Sequence, residues 1–111
     1  MPLSERARIE VYIPEINEFA YTELLESLER EFSHTFGGSS TIRGIDGNYL
    51  SQLGIQVTDK ISLIYSDAPM TFTARVKTLS SYVDKLRTAA FLALDEEAIL
   101  VAAFPVFHGI G

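Results

Sequence analysis

A four-stranded antiparallel sheet with two helices on one face, an α+β fold, is predicted by three observations. Four segments have strand character, two carry an apolar stripe at helical spacing, and their order is strand, helix, strand, strand, helix, strand. The chain has 111 residues and no Pro/Gly/Ser-rich stretch or repeat divides it, so one domain over 1–111 with one hydrophobic core is expected.

Arg8-Ile9-Glu10-Val11-Tyr12-Ile13 alternates polar and apolar residues, the period of a half-buried strand. Pro14 is expected to end it, because proline has no N–H for the ladder. Asn17 is placed to cap the first helix. Tyr21, Leu24, Leu25, Leu28 and Phe32 then recur at helical steps, with Glu18, Glu23, Glu26, Glu29 and Glu31 on the wetter side. Gly37 or Gly38 stands where a helix commonly ends in a left-handed residue. Thr41–Ile45 reads as the second strand, and Asp46-Gly47 and Gly54 mark turns or a protruding loop. Lys60–Ser66 alternates as the third strand. Asp67-Ala68-Pro69 resembles a cap followed by a first-turn proline, opening a helix with Phe72, Val76, Leu79, Val83, Leu86 and Ala90 on one face. Ala98–Phe104 is a strand apolar on both sides, with Pro105 as its stop.

This order is the split βαβ of a ferredoxin-like βαββαβ plait, and right-handed crossovers put the first and third strands at the centre of the sheet. Ile9, Val11 and Ile13 are expected to face the helices, as are Ile61, Leu63 and Tyr65 or their neighbours. Arg8, Glu10 and Tyr12 then lie on the open face. The last strand turns apolar side chains outward whichever way it sits, a liability unless something covers it. A second copy of the chain, a dimer in the simplest case, is the favoured cover. The chain's own ends, Met1–Glu5 and Val106–Gly111, are the alternative.

Composition excludes several functions. With 47% hydrophobic and 22% charged residues the chain falls in the globular class, not the disordered one. No apolar run reaches the roughly 18 residues of a membrane span, and no secretory signal is evident. The absence of cysteine removes disulfides and thiolate chemistry and fits a cytoplasmic location. A formal charge of −6 opposes nucleic-acid binding, which needs clustered Lys and Arg.

Phe36-Gly37-Gly38-Ser39-Ser40-Thr41 is the segment most suited to a site. A helix stop needs one glycine. The second glycine and the hydroxyl run allow close approach to the main chain and supply donors for a small polar or anionic ligand. Gly37, Gly38, Ser39, Ser40 and Thr41, with Arg43 and Tyr49 from the following connection, are the candidate binding residues. Asp46, Asn48, Asp59 and Lys60 cluster with Arg43 and Tyr49 along that connection, where a protruding loop could meet ligands or neighbouring subunits. No P-loop or dinucleotide fingerprint occurs. His34 and His108 are the only histidines and lack metal-ligand spacing, so neither metal nor cofactor is expected. No Ser-His-Asp series or carboxylate pair can be assembled from sequence order.

The pattern Phe36-Gly37-Gly38-x-x-Thr41, with Gly44 after it and Asp59 before the third strand, resembles small bacterial plait proteins in which a helix ends in Phe-Gly-Gly-x-x-Thr. That resemblance implies the fold and carries no activity. Signal-transducing plait trimers with a long loop between strands two and three are similar in topology. RNA-recognition plaits are not, since their aromatic-basic signature is missing despite Tyr12 and Tyr65. The leading expectation is a non-catalytic oligomeric module that binds a small ligand or a protein partner. A cofactor-free enzyme of the dimeric plait-barrel type, using His108, Tyr12 or Asp67, is the alternative. A third is a component of a larger assembly that docks through Glu23, Glu26 and Glu29.

Overall fold

Alternating burial along the first strand organises the molecule: Ala7, Ile9, Val11 and Ile13 are fully buried, and each residue between them turns to the opposite face. The computed structural model describes residues 2–16, 18–95 and 99–109. These form β1 (Leu3–Pro14), α1 (Glu18–Phe36), β2 (Ser40–Leu50), β3 (Gln56–Ala68), α2 (Val76–Leu94) and β4 (Leu100–Gly109). The sheet order is β2-β3-β1-β4 with every neighbouring pair antiparallel, so β1 and β3 are central as expected. This is the ferredoxin-like plait.

The core lies between the sheet and the helices. Tyr21, Leu24, Leu25, Leu28 and Phe32 of α1 are buried against β1 and β3, and Leu79, Leu86 and Ala90 of α2 complete the layer. Val76, assigned to that face by spacing, is instead 47% exposed, and Phe72 and Val83 are half-buried. The expected Asn17 cap lies outside the described residues, as does Ala98.

The third strand shows which of its two faces is inner. Register sets Ser62, Ile64, Ser66 and Ala68 opposite Ile13, Val11, Ile9 and Ala7, so these neighbours face the helices while Ile61, Leu63 and Tyr65 lie on the open face. Buried serine is tolerated because each hydroxyl has a partner. Ser62 Oγ lies 2.5 Å from the Tyr21 hydroxyl, and Ser66 Oγ donates to the Gly38 carbonyl at 2.6 Å.

Three punctuation signals are overridden. Asp46-Gly47 is strand, with Asp46 opposite Lys60 and Gly47 opposite Asp59; the turn is Ser51–Ile55, with Gly54 at φ +77°. A Cβ at Gly47 would lie 2.1 Å from Ile61 Cδ1, so the glycine is there for space inside the ladder. Asp67 is the penultimate residue of β3 and no helix cap: α2 starts at Val76, after a short 3₁₀ turn over Thr73–Arg75. Pro105 sits within β4 opposite Ala7, which an edge strand permits because the missing N–H belongs to its unpaired side. The strand therefore continues to Gly109. Leu3–Glu5 pair with Phe107–Gly109, so the described chain ends lengthen the sheet instead of crossing its open face. Beyond Ile61, β2 and β3 continue as a two-stranded arm, which gives the molecule its 47 Å long axis.

Candidate functional site

The two glycines after α1 divide their work. Gly37 has φ +93° and its N–H donates to the Ser33 carbonyl at 3.1 Å, so it alone performs the helix stop. Gly38 has no positive φ and nothing within 4 Å of a would-be Cβ. Its carbonyl is tied to Ser66, which fastens the turn to the end of β3. Between the two runs an open cleft of about 270 Å³, lined by Phe36, Gly37, Gly38, Ser39, Ser40, Tyr65, Ser66 and Asp67. Among the described residues no group accepts a hydrogen bond from the N–H of Gly38 or Ser39.

Asp67 is the best-held side chain of this cleft. Arg8 Nε donates to Oδ1 at 2.7 Å and Arg8 Nη2 to Oδ2 at 2.9 Å, a bidentate fork from the neighbouring strand. His108 Nε2 lies 2.8 Å from the same Oδ2, brought there by the continuation of β4. The Arg8 guanidinium also stands 4.5 Å from the centre of the Tyr65 ring. The Arg8 fork, helped less by His108, holds the Asp67 carboxyl below its ordinary range against the opposing effect of burial. The same bond pushes the Arg8 guanidinium up. The result is a hydrogen-bonded polar cluster beside the turn.

The structure groups some of the candidate binding residues and separates others. Gly37, Gly38, Ser39 and Ser40 share the cleft. Thr41 pairs with Ile64 and belongs to the helix face. Arg43 is exposed in a bulge between Ile42 and Ile45; next to it Gly44, at φ +71°, donates its N–H to Glu15 Oε2 at 2.8 Å. Tyr49 is nine residues along β2 from Ser40, about 30 Å of extended chain. Its hydroxyl donates to Asp59 Oδ2 at 2.8 Å. It lines a second cleft of about 360 Å³, largely apolar, with Tyr12, Gly47, Ile61 and Leu100. Lys60 pairs with Asp46 and Thr58 with Asn48, so the polar cluster of the connection is the ladder of the arm.

His34 is exposed in the last turn of α1, far in sequence from the Asp67 group. Tyr12 donates its hydroxyl to Glu10 at 2.7 Å, which pushes the phenol up; it lies two rows along β1 from Arg8. Of the three side chains named for catalysis, His108 and Asp67 meet and Tyr12 stands apart. Sequence inspection did not bring Arg8, Asp67 and His108 together. The available signal was the polar alternation Arg6, Arg8, Glu10 on the open face of β1.

No protein-family profile matches the sequence, and no curated protein matches it significantly. Solved structures do match the fold. The chain is similar to CutA1 from Oryza sativa, with TM-score 0.61, 20% identity, and 96% of this chain and 84% of that one covered. It is similar to the divalent cation tolerance protein CutA1 from Thermus thermophilus, with TM-score 0.58, 17% identity and coverage of 96% and 88%. It is also similar to CPII, a nitrogen regulatory PII-like protein from Thiomonas intermedia bound to ADP, AMP and bicarbonate, with TM-score 0.52, 17% identity and 99% of both chains covered. At these identities the likeness shows the plait and nothing finer. No described helix is long and apolar enough to cross a membrane.

Proposed function

We propose that this protein is a non-catalytic oligomeric module that binds a small polar or anionic ligand in the cleft between Gly37–Ser40 and Tyr65–Asp67. The observation that carries the reading is Gly38. Gly37 does the conformational work, so Gly38 is free to keep the main chain bare where a ligand can reach it. The N–H groups of Gly38 and Ser39, the hydroxyls of Ser39 and Ser40, and the Tyr65 ring supply donors and a flat apolar wall. One neighbour of this fold was solved with ADP, AMP and bicarbonate, which makes these three the first probes.

The oligomeric half rests on the open sheet face. Ile42, Leu63, Tyr12 and Leu100 form one row across all four strands, exposed at its two ends (Ile42 48%, Leu100 57%), while Leu63 is already buried and Tyr12 half-buried. Phe104 and Val106 extend the apolar surface along β4. A second copy covering this row, in a closed dimer as the simplest form, would remove it from water. A solution mass equal to one chain at high concentration would end this half of the proposal.

Gly38→Val tests the cleft. The backbone there accepts a β-branched residue and the space around it is open, so folding should be kept while the side chain intrudes on the bound group. Calorimetric titration with ADP, AMP and bicarbonate should show binding to the native chain and its loss in the variant, at equal melting temperature. Equal affinity in both would refute the site. The second reading, a cofactor-free enzyme, is favoured by the 2.8 Å contact between His108 and Asp67. Arg8 holds the same carboxylate with two bonds, which favours a structural role for it.

A further inference from the structure

The rows of the open face that end the sheet beyond Glu10 hold an imbalance of charge. They read Asp67–Arg8–Phe104, then Arg6–Val106, then Ser4–His108. Two arginines thus face one carboxylate, with the His108 ring beside it, on a chain whose formal charge is −6. Two neighbouring carboxylates have other hydrogen-bond partners: Glu10 takes the Tyr12 hydroxyl, and Glu5, on the helix side, accepts from the Thr73 N–H at 3.3 Å. Arg8 and His108 both bond to Asp67.

Arg6 has no such partner. Its Nε is buried and makes no hydrogen bond, and no ion pair of its guanidinium exists among the described residues. A cationic N–H withdrawn from water without an acceptor is costly, and folded proteins satisfy nearly all such groups. The planar guanidinium fork matches a carboxylate or phosphate in two parallel bonds, a geometry that neutral acceptors do not reproduce.

We infer that Arg6, flanked by Arg8 and His108, is an oxyanion-binding site that takes the carboxylate or phosphate group of a small ligand. Arg8 is held by Asp67 and keeps its positive charge beside Arg6 without needing to move; Arg6 supplies the unpartnered guanidinium. The inference deepens the cleft reading by naming the class of group bound. It rests on that reading only for the rest of the ligand, because Asp67 is both the wall of the cleft and the hub of the charged rows.

The test is titration of the whole protein with inorganic phosphate and, separately, acetate at low salt, followed by NMR of the arginine Nε–H groups and by calorimetry. The Arg6 Nε–H resonance should shift on saturation. Arg6→Met, which keeps the apolar stem, should weaken binding about tenfold or more at an unchanged or raised melting temperature. Arg6→Lys, with charge but no fork, should fall between the two. Lys77→Met on α2 removes the same charge elsewhere and should leave binding as in the native chain. A preference for phosphate or for acetate identifies which oxyanion the site takes. Native affinity in Arg6→Met would overturn the inference. So would a drop in solution mass with that variant and no loss of anion binding, since the acceptor would then be a carboxylate of a second copy. Gly38→Val separates the two proposals. Phosphate binding kept there but lost in Arg6→Met upholds the oxyanion site against the cleft, and the reverse pattern upholds the cleft against the oxyanion site.

Discussion

Asp67→Asn keeps the size of the side chain and removes the charge that ties three strands together. The carboxylate accepts two bonds from Arg8 and one contact from His108, at 2.7, 2.9 and 2.8 Å. Its side chain is 17% exposed and that of Arg8 29%. Fully exposed pairs contribute about 0–1 kcal/mol, whereas breaking a buried pair costs about 3–5 kcal/mol. A bidentate, partly covered pair with a third contact falls between, so the expected loss is about 1.5–3 kcal/mol at pH 7. For a chain of this length that lowers the melting temperature by roughly 6–12 °C. The pH dependence is a sharper check. The Asp67 carboxyl is held low in the folded state by Arg8, so its contribution is complete above the unfolded carboxyl range, near pH 4, and is lost as pH falls through the lower folded value. Denaturant titrations of both chains from pH 7 downward should therefore converge below about pH 4. A difference under about 0.5 kcal/mol at neutral pH, or one that stays constant through the acid range, would show that the fork is a solvated contact with no structural weight.

Two further outcomes follow from contacts inside the fold. Gly47→Val should destabilise the arm by about 1–3 kcal/mol, because the new Cβ would lie 2.1 Å from Ile61 Cδ1 and 3.0 Å from Cγ1. Adding Ile61→Val, which deletes Cδ1, should recover part of that loss in chemical denaturation; strict additivity of the two would refute the steric account. Tyr21→Phe should cost about 1–3 kcal/mol by leaving the buried Ser62 hydroxyl without its partner. Tyr21→Phe combined with Ser62→Ala should lie nearer the native stability than either single change predicts, and a double-mutant cycle with no coupling would mean the two hydroxyls are independent.

Ser62 and Ser66 show where periodicity stops being informative. Alternation identified β3 as a strand, yet Ile61, Leu63 and Tyr65 are more apolar than the serines between them, so hydropathy alone points the wrong set inward. The observed phase satisfies the serines through a pair of hydrogen bonds, from Ser66 to the Gly38 carbonyl and between Ser62 and Tyr21, whose partners are 28 and 41 residues away. Pro105 and Asp46-Gly47 obey the same logic: each is a breaker by local chemistry, and each is tolerated because of its place in the sheet, an edge in one case and a neighbouring isoleucine in the other. The architecture was legible because six segments of strand or helix pattern are local properties, and one order of them has one common solution. Half of the candidate site was legible for the same reason, since Gly37 to Ser40 are consecutive and advertise their backbone freedom directly. The other half was not. Arg8 meets Asp67 across 59 residues, and His108 meets it across 41. Their encounter depends on β4 running through its proline and on Asp67 belonging to a strand instead of a helix cap. Both facts concern pairing partners, which no window along the chain contains. A sheet that brings such residues into register turns three ordinary polar positions into one hydrogen-bonded cluster that meets the cleft at Asp67. The unpartnered Arg6 one row further on is then the position where a ligand's charge has most to gain.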